Sequence, residues 1–282
     1  MIVVTFNYRL GALGFLATND EYSPGNYGLY DQLTVLEWVR DNIGSFSGDS
    51  SKVTLFGQGA GGSSAIFQLI SPLTVGLFHA VISQSGSPLC TWSLETEPEE
   101  AAARLAHRVG CPTISSYEML RCLRRAPTTR LLNAQKQGKI FGEYPHRMLP
   151  VIEPSIIGNT RLIPSDPRTL IKQVSRPVPL MMGYNRHETA FFYPLILNQL
   201  SGSPSMKSFL QEKLLPKFIR SSILQKYSNP QTETKNQIEK DVLTNVLFRY
   251  FNFLNTKNYT DLATRFVNVR YWKDICLFVK IY

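Results

Sequence analysis

The chain has 282 residues, 43% hydrophobic and 18% charged, long enough for one large domain and too apolar for a disordered segment. Its 30 basic and 21 acidic residues leave a net charge of +9. The densest basic cluster is only Arg121, Arg124 and Arg125, with no Lys/Arg-rich run of about 5–8 residues, so the charge reads as a scattered surface and not as a nucleic-acid patch. No apolar run reaches the roughly 18 residues of a membrane span, so no membrane anchor lies in this segment.

Ile2–Tyr8 opens with Ile2-Val3-Val4-Thr5-Phe6, which predicts a buried first strand. A domain that opens inside a core strand is expected to have lost its beginning, so the missing signal peptide says nothing about the whole protein. Asp31–Ile43 follows as a helix, with Leu33, Leu36, Trp38 and Val39 on one face. Val53–Phe56 is apolar except for Thr54 and predicts a parallel strand buried on both faces. It runs into Gly57-Gln58-Gly59-Ala60-Gly61-Gly62 and a helix from about Ser63 to Ile70. Ala80–Gln84 predicts a third strand, ending at Ser85-Gly86-Ser87.

Beyond Pro88 the pattern turns helical, over Glu97–Val109, Tyr117–Arg125 and Thr128–Gln137, and reads as a cap above the sheet. Pro179–Gly183 restores a core strand, with Tyr184–Thr189 as the loop at its carboxyl end. Ser205–Lys226 and Asn236–Leu254 predict helices, and Ile275–Tyr282 a last strand. Strands alternating with helices specify an α/β fold with a mostly parallel central sheet. The expected organisation is one partial domain over 1–282: a core over 1–90, cap helices over 91–175, then a core strand, loop and helices over 176–282.

The four cysteines are Cys90, Cys111, Cys122 and Cys276. None has C-x-x-C spacing and no Cys/His cluster has metal-ligand spacing, so neither a metal nor a cofactor is expected. Cys111 and Cys122 flank a short polar stretch between helical segments and read as a small disulfide loop. The pairing of Cys90 and Cys276 stays open. Asn258-Tyr259-Thr260 is a glycosylation sequon that fits a secreted context.

Strand, G-x-S-x-G and helix in succession form the nucleophile elbow of α/β-hydrolases, where a sharp turn lifts a serine hydroxyl clear of the sheet. Here the frame is Gly57-x-Gly59-x-Gly61, with glycine at the serine's place. Glycine has no atom with which to attack a carbonyl, which closes the acyl-enzyme route. It also adopts the strained elbow backbone freely, so the change removes chemistry without burdening the fold. Ser63 and Ser64 lie about one turn into the helix, pointing into packing or solvent. Ser85 and Ser87 stand at a strand end, and backbone bonding is their expected role.

Further motifs occur in a fixed order: Asn7-Tyr8-Arg9-Leu10-Gly11, Gly25-Asn26-Tyr27-Gly28-Leu29-Tyr30-Asp31-Gln32, Phe46-x-Gly48-Asp49, Gly76-Leu77-Phe78-His79-Ala80, Ser83-Gln84-Ser85-Gly86-Ser87, Pro150-Val151-Ile152-Glu153 and Gly183-x-Asn185-x-x-Glu188. Together with the Cys111–Cys122 pair, the chain resembles the type B carboxylesterases and cholinesterases, densely from Ile2 to about Phe192. The resemblance implies an α/β-hydrolase fold with a helical cap, incomplete at both ends. It puts the nucleophile position at Gly59, the backbone oxyanion donor position at Ala60 and the triad acid position at Glu188. It puts the catalytic histidine, and the family's Gly-Gly oxyanion loop, outside this chain, so Gly59→Ser alone is not expected to restore activity. His79 reads as packing or capping, and His107, His146 and His187 as surface residues.

Branches of that family without the serine resemble neuroligins, glutactin and neurotactin. The expected function is accordingly a catalytically inactive, carboxylesterase-like domain for extracellular binding or adhesion. It would be secreted or on the extracellular face of the plasma membrane, with a protein partner and no nucleic acid. The alternatives are an ester hydrolase using another residue, and a truncated fragment without independent function.

Overall fold

A computed structural model describes residues 1–90, 92–137, 148–158, 160–174 and 178–185. Its elements in chain order are α1 (Gly11–Phe15), α2 (Tyr27–Asn42), β1 (Thr54–Gln58), α3 (Ala60–Ile70), β2 (Ala80–Gln84), α4 (Pro98–Val109), α5 (Ser116–Arg125), α6 (Thr128–Lys136), α7 (Pro167–Gln173) and β3 (Leu180–Gly183). The helices expected at Ser205–Lys226 and Asn236–Leu254, the strand at Ile275–Tyr282, and Glu188, His146, His187, Asn258 and Cys276 lie outside the described residues.

The three strands form a parallel sheet in the order β1-β2-β3. Leu55 pairs with Val81 and Val81 with Leu180; one residue on, Phe56 pairs with Ile82 and Ile82 with Met181. Successive side chains alternate between faces, and the row containing Leu55, Val81 and Leu180 joins the apolar core under α3. In the other row Phe56 is 65% and Met181 67% exposed. The expectation that β1 is buried on both faces is therefore corrected: its burial alternates along the strand.

That core is continuous through the helices. Phe67 and Ile66 of α3 meet Leu29 and Leu36 of α2, and Ala102, Leu105 and Ala106 of α4 join the same cluster with Met119 and Leu123 of α5. Small alanines on α4 let neighbouring elements approach closely, and each buried Leu or Phe contributes about 1.5–3 kcal/mol. Pro98 starts α4 with Glu99 and Glu100 in its first turn, and His107 and Arg108 occupy its last, which suits the helix dipole. The helix ends at Gly110 (φ 81°), whose N–H returns to the Ala106 and His107 carbonyls. One residue later Cys111 forms a disulfide with Cys122 of α5 across 5.7 Å between Cα atoms, as the sequence suggested. Cys90 is disulfide-bonded as well.

The buried first strand is not formed. Residues 1–8 make no ladder, and Ile2, Val3 and Phe6 are exposed, Val3 to 72%. An apolar run becomes a strand only when a sheet edge receives its backbone groups, and none of the described strands pairs with it. Helix starts also shift. Helix α2 begins at Tyr27, four residues before the expected Asp31, and α3 at Ala60 instead of Ser63. In both cases glycines in the first turn mask the helical pattern.

Candidate functional site

Strand β1 ends at Gln58 and α3 begins at Ala60, which leaves one residue, Gly59, to make the turn. Its backbone is held at φ 58°, ψ −120°. That conformation is costly for any residue with a Cβ and free for glycine. The Gly59 N–H donates to the Gln84 carbonyl at 2.8 Å, and the Gly59 carbonyl accepts from Ser63 N–H at 3.0 Å. The turn is thus tied to β2 on one side and to the first turn of α3 on the other.

Two neighbouring glycines are demanded by close approach. A Cβ on Gly57 would lie 2.2 Å from the Gly61 carbonyl oxygen, and one on Gly86 would lie 2.1 Å from the Gly59 carbonyl oxygen. At Gly59 itself a Cβ would meet nothing within 4 Å. The position has room for a side chain and carries none. Ala60, the first residue of α3, is exposed, and its N–H is one of the first-turn donors without an intrahelical acceptor.

The serines around the turn bind backbone and one another. The buried Ser63 hydroxyl donates to the Ser87 carbonyl at 3.0 Å and lies 2.9 Å from the Ser93 hydroxyl. The Ser83 hydroxyl donates to the Gly86 carbonyl, and the Ser87 hydroxyl accepts from Leu89 N–H. Ser85 has a positive φ of 52°, and its N–H donates to the Gly183 carbonyl, closing the ends of β2 and β3. His79 accepts from Val53 N–H through Nδ1 and returns its own N–H to the Val53 carbonyl. It caps the amino end of β1 at Val53, roughly 20 Å from the Gly59 turn at about 3.3 Å per strand residue. His107 is exposed on α4. Neither described histidine serves the turn.

A second polar centre escaped the sequence reading. Glu153 is buried, and one carboxylate oxygen accepts from Ile163 N–H at 3.0 Å while the other has no hydrogen-bond partner among the described residues. Burial pushes its carboxyl above the usual carboxylate range, against the contrary pull of Ile163 N–H, Asn26 and Tyr30. Burial and the adjoining Glu153 also push the Tyr30 phenol up. Asn26, in the left-handed conformation before α2, bonds the Val151 backbone through both its amide nitrogen and its oxygen. The sequence marked Glu153 only as the end of the Pro150-Val151-Ile152-Glu153 motif, a carboxylate after an apolar run, with no sign of its burial or partners. Nearby, Arg9 binds both Asp31 oxygens, at 2.8 and 2.7 Å, and holds that carboxyl below its ordinary range.

The carboxylesterase family model matches residues 1–271. The chain belongs to the carboxylesterase family. Among its relatives, bovine bile salt-activated lipase is 45% identical over 170 residues, covering 60% of this chain and 28% of the lipase. Mouse neuroligin-3 is 34% identical over 258 residues, covering 84% of this chain and 30% of the neuroligin. The structure of juvenile hormone esterase from Manduca sexta aligns with a TM-score of 0.70 and 25% identity over 96% of this chain and 47% of the esterase. This carboxylesterase-family chain thus has the α/β-hydrolase fold and spans less than half the length of each of these relatives. The family includes both enzymes and neuroligins, so membership alone does not decide whether the turn at Gly59 is catalytic.

Proposed function

We infer that this chain is a non-catalytic carboxylesterase-like binding domain. Gly59 is assigned to the nucleophile position, Ala60 to the oxyanion donor position and Glu188 to the triad acid position. The observation that carries the reading is the turn at Gly59, with its left-handed φ and open space where a side chain would stand. Without a hydroxyl or thiol there, no acyl-enzyme can form. The backbone around the turn keeps its bonds to β2 and α3, which favours a scaffold retained for recognition.

The neuroligin relatives support a protein partner met outside the cell. Secretion or display on the outer face of the plasma membrane is part of the same proposal. Among the described residues, no helix is long and apolar enough to cross a membrane. The similarity to bovine bile salt-activated lipase favours the alternative, an ester hydrolase using another nucleophile. A fluorophosphonate probe followed by mass spectrometry separates the two. The binding-domain reading predicts no labelled serine, and stoichiometric labelling of one serine would favour the hydrolase.

A further inference from the structure

The densest basic cluster of the sequence, Arg121, Arg124 and Arg125, takes no part in the turn at Gly59. It lines two adjoining cavities instead. One, of about 290 Å³, is bounded by Tyr22, Tyr117, Leu120 and all three arginines. The other, of about 280 Å³, shares Leu120 and Arg124 with the first and is walled by Leu13, Leu16, Leu105 and Leu131. Each is near the lower end of the size range of small-molecule sites, roughly 300 Å³.

The arginines differ in what already neutralises them. Arg121 pairs with Glu118 at 2.7 Å and lies over the Tyr117 ring. Arg9, which also lines the leucine-walled cavity, is committed to Asp31. Arg124 and Arg125 are exposed and have no acidic partner among the described residues. Their place in the last turn of α5 offsets the helix dipole. That role accounts for their position along the helix and not for the leucine-walled cavity beside Arg124.

An apolar cavity meeting an uncommitted guanidinium is complementary to a molecule with a hydrocarbon chain and an anionic head. Guanidinium binds carboxylate through two parallel hydrogen bonds, which a quaternary ammonium or an alcohol cannot reproduce. We propose that these joined cavities bind the anion of a medium-chain fatty acid, with its carboxylate on Arg124 and its chain along the leucines. This site is independent of Gly59 and of any chemistry there.

Calorimetric titration of the full-length protein with dodecanoate, kept below micellar concentrations, tests the proposal. One saturable site is expected. Arg124→Glu should weaken it at least tenfold, Leu120→Ser should weaken it as well, and butyrate and dodecyltrimethylammonium should give no saturable heat. Circular dichroism establishes that both variants fold; because Arg124 is exposed, its replacement leaves the core intact. Absence of a saturable dodecanoate site, equal binding of the cationic amphiphile, or unchanged dodecanoate affinity in Arg124→Glu would overturn it.

Discussion

Glycines in and beside the Gly59 turn differ in what they require, and substitution separates them. Gly59 has space but a left-handed backbone, so Gly59→Ala should cost about 1–3 kcal/mol through strain alone. Gly57 faces the Gly61 carbonyl at a distance no Cβ tolerates, so Gly57→Ala must displace the start of α3. It should cost about 1–3 kcal/mol or more by overpacking. Gly61 lies within α3 with nothing near its Cβ position, and Gly61→Ala should be neutral or stabilising by up to about 1 kcal/mol. Urea midpoints of the three variants check this order; a Gly57→Ala protein as stable as the parent would contradict the close strand–helix approach. The place of Gly59 between a strand and a helix was legible in the sequence, because flanking β-branched and helical patterns bracket it. The close approach of Gly86 to the Gly59 carbonyl was not, since it joins the segments that follow two different strands.

Among the elements, helices α4, α5 and α6 and strand β2 follow the expected bounds closely, β2 with the same bounds; α4 and α5 do so because each buries an apolar face, whereas α6 buries only Ala134. The failures have physical causes. Helix α1 spans 5 residues, too few for a period to register, and residues 1–8 are largely apolar without a ladder partner among the described strands. The packing of Asn26 against Val151 spans 125 positions, beyond any local pattern. That junction makes a pH prediction. The Glu153 carboxyl is raised above its unfolded value, so the folded state holds the proton more tightly. Its contribution is full below the unfolded pKa of about 4.3 and is lost as pH rises through the folded value. Stability should therefore fall as pH rises across that window, and Glu153→Gln should flatten the slope in urea melts taken at several pH values. A slope unchanged in Glu153→Gln would assign it elsewhere. The Cys111–Cys122 bridge joins the end of α4 to α5 with a separation of 11 residues. Replacing both cysteines by serine should lower stability by about 2–3 kcal/mol in the chain-entropy account, and an undiminished urea midpoint would contradict that.

For the molecule as a whole, fold and function come from different evidence. Parallel strands, the order of helices and the family match all identify an α/β-hydrolase scaffold. The proposed function rests on one position in that scaffold, Gly59, since relatives of comparable similarity are named as a lipase and as neuroligins. A net charge of +9 adds no patch large enough to redirect the reading toward nucleic acid. The two cavities at Arg124 include none of the residues of the Gly59 turn in their lining, so the site proposed there is separate from it. The most direct measurement of the central claim is hydrolysis of short-chain p-nitrophenyl esters by the full-length protein. The account predicts a rate equal to that of the heat-inactivated sample at every substrate concentration; saturable turnover above it would contradict the assignment of Gly59 as an empty nucleophile position.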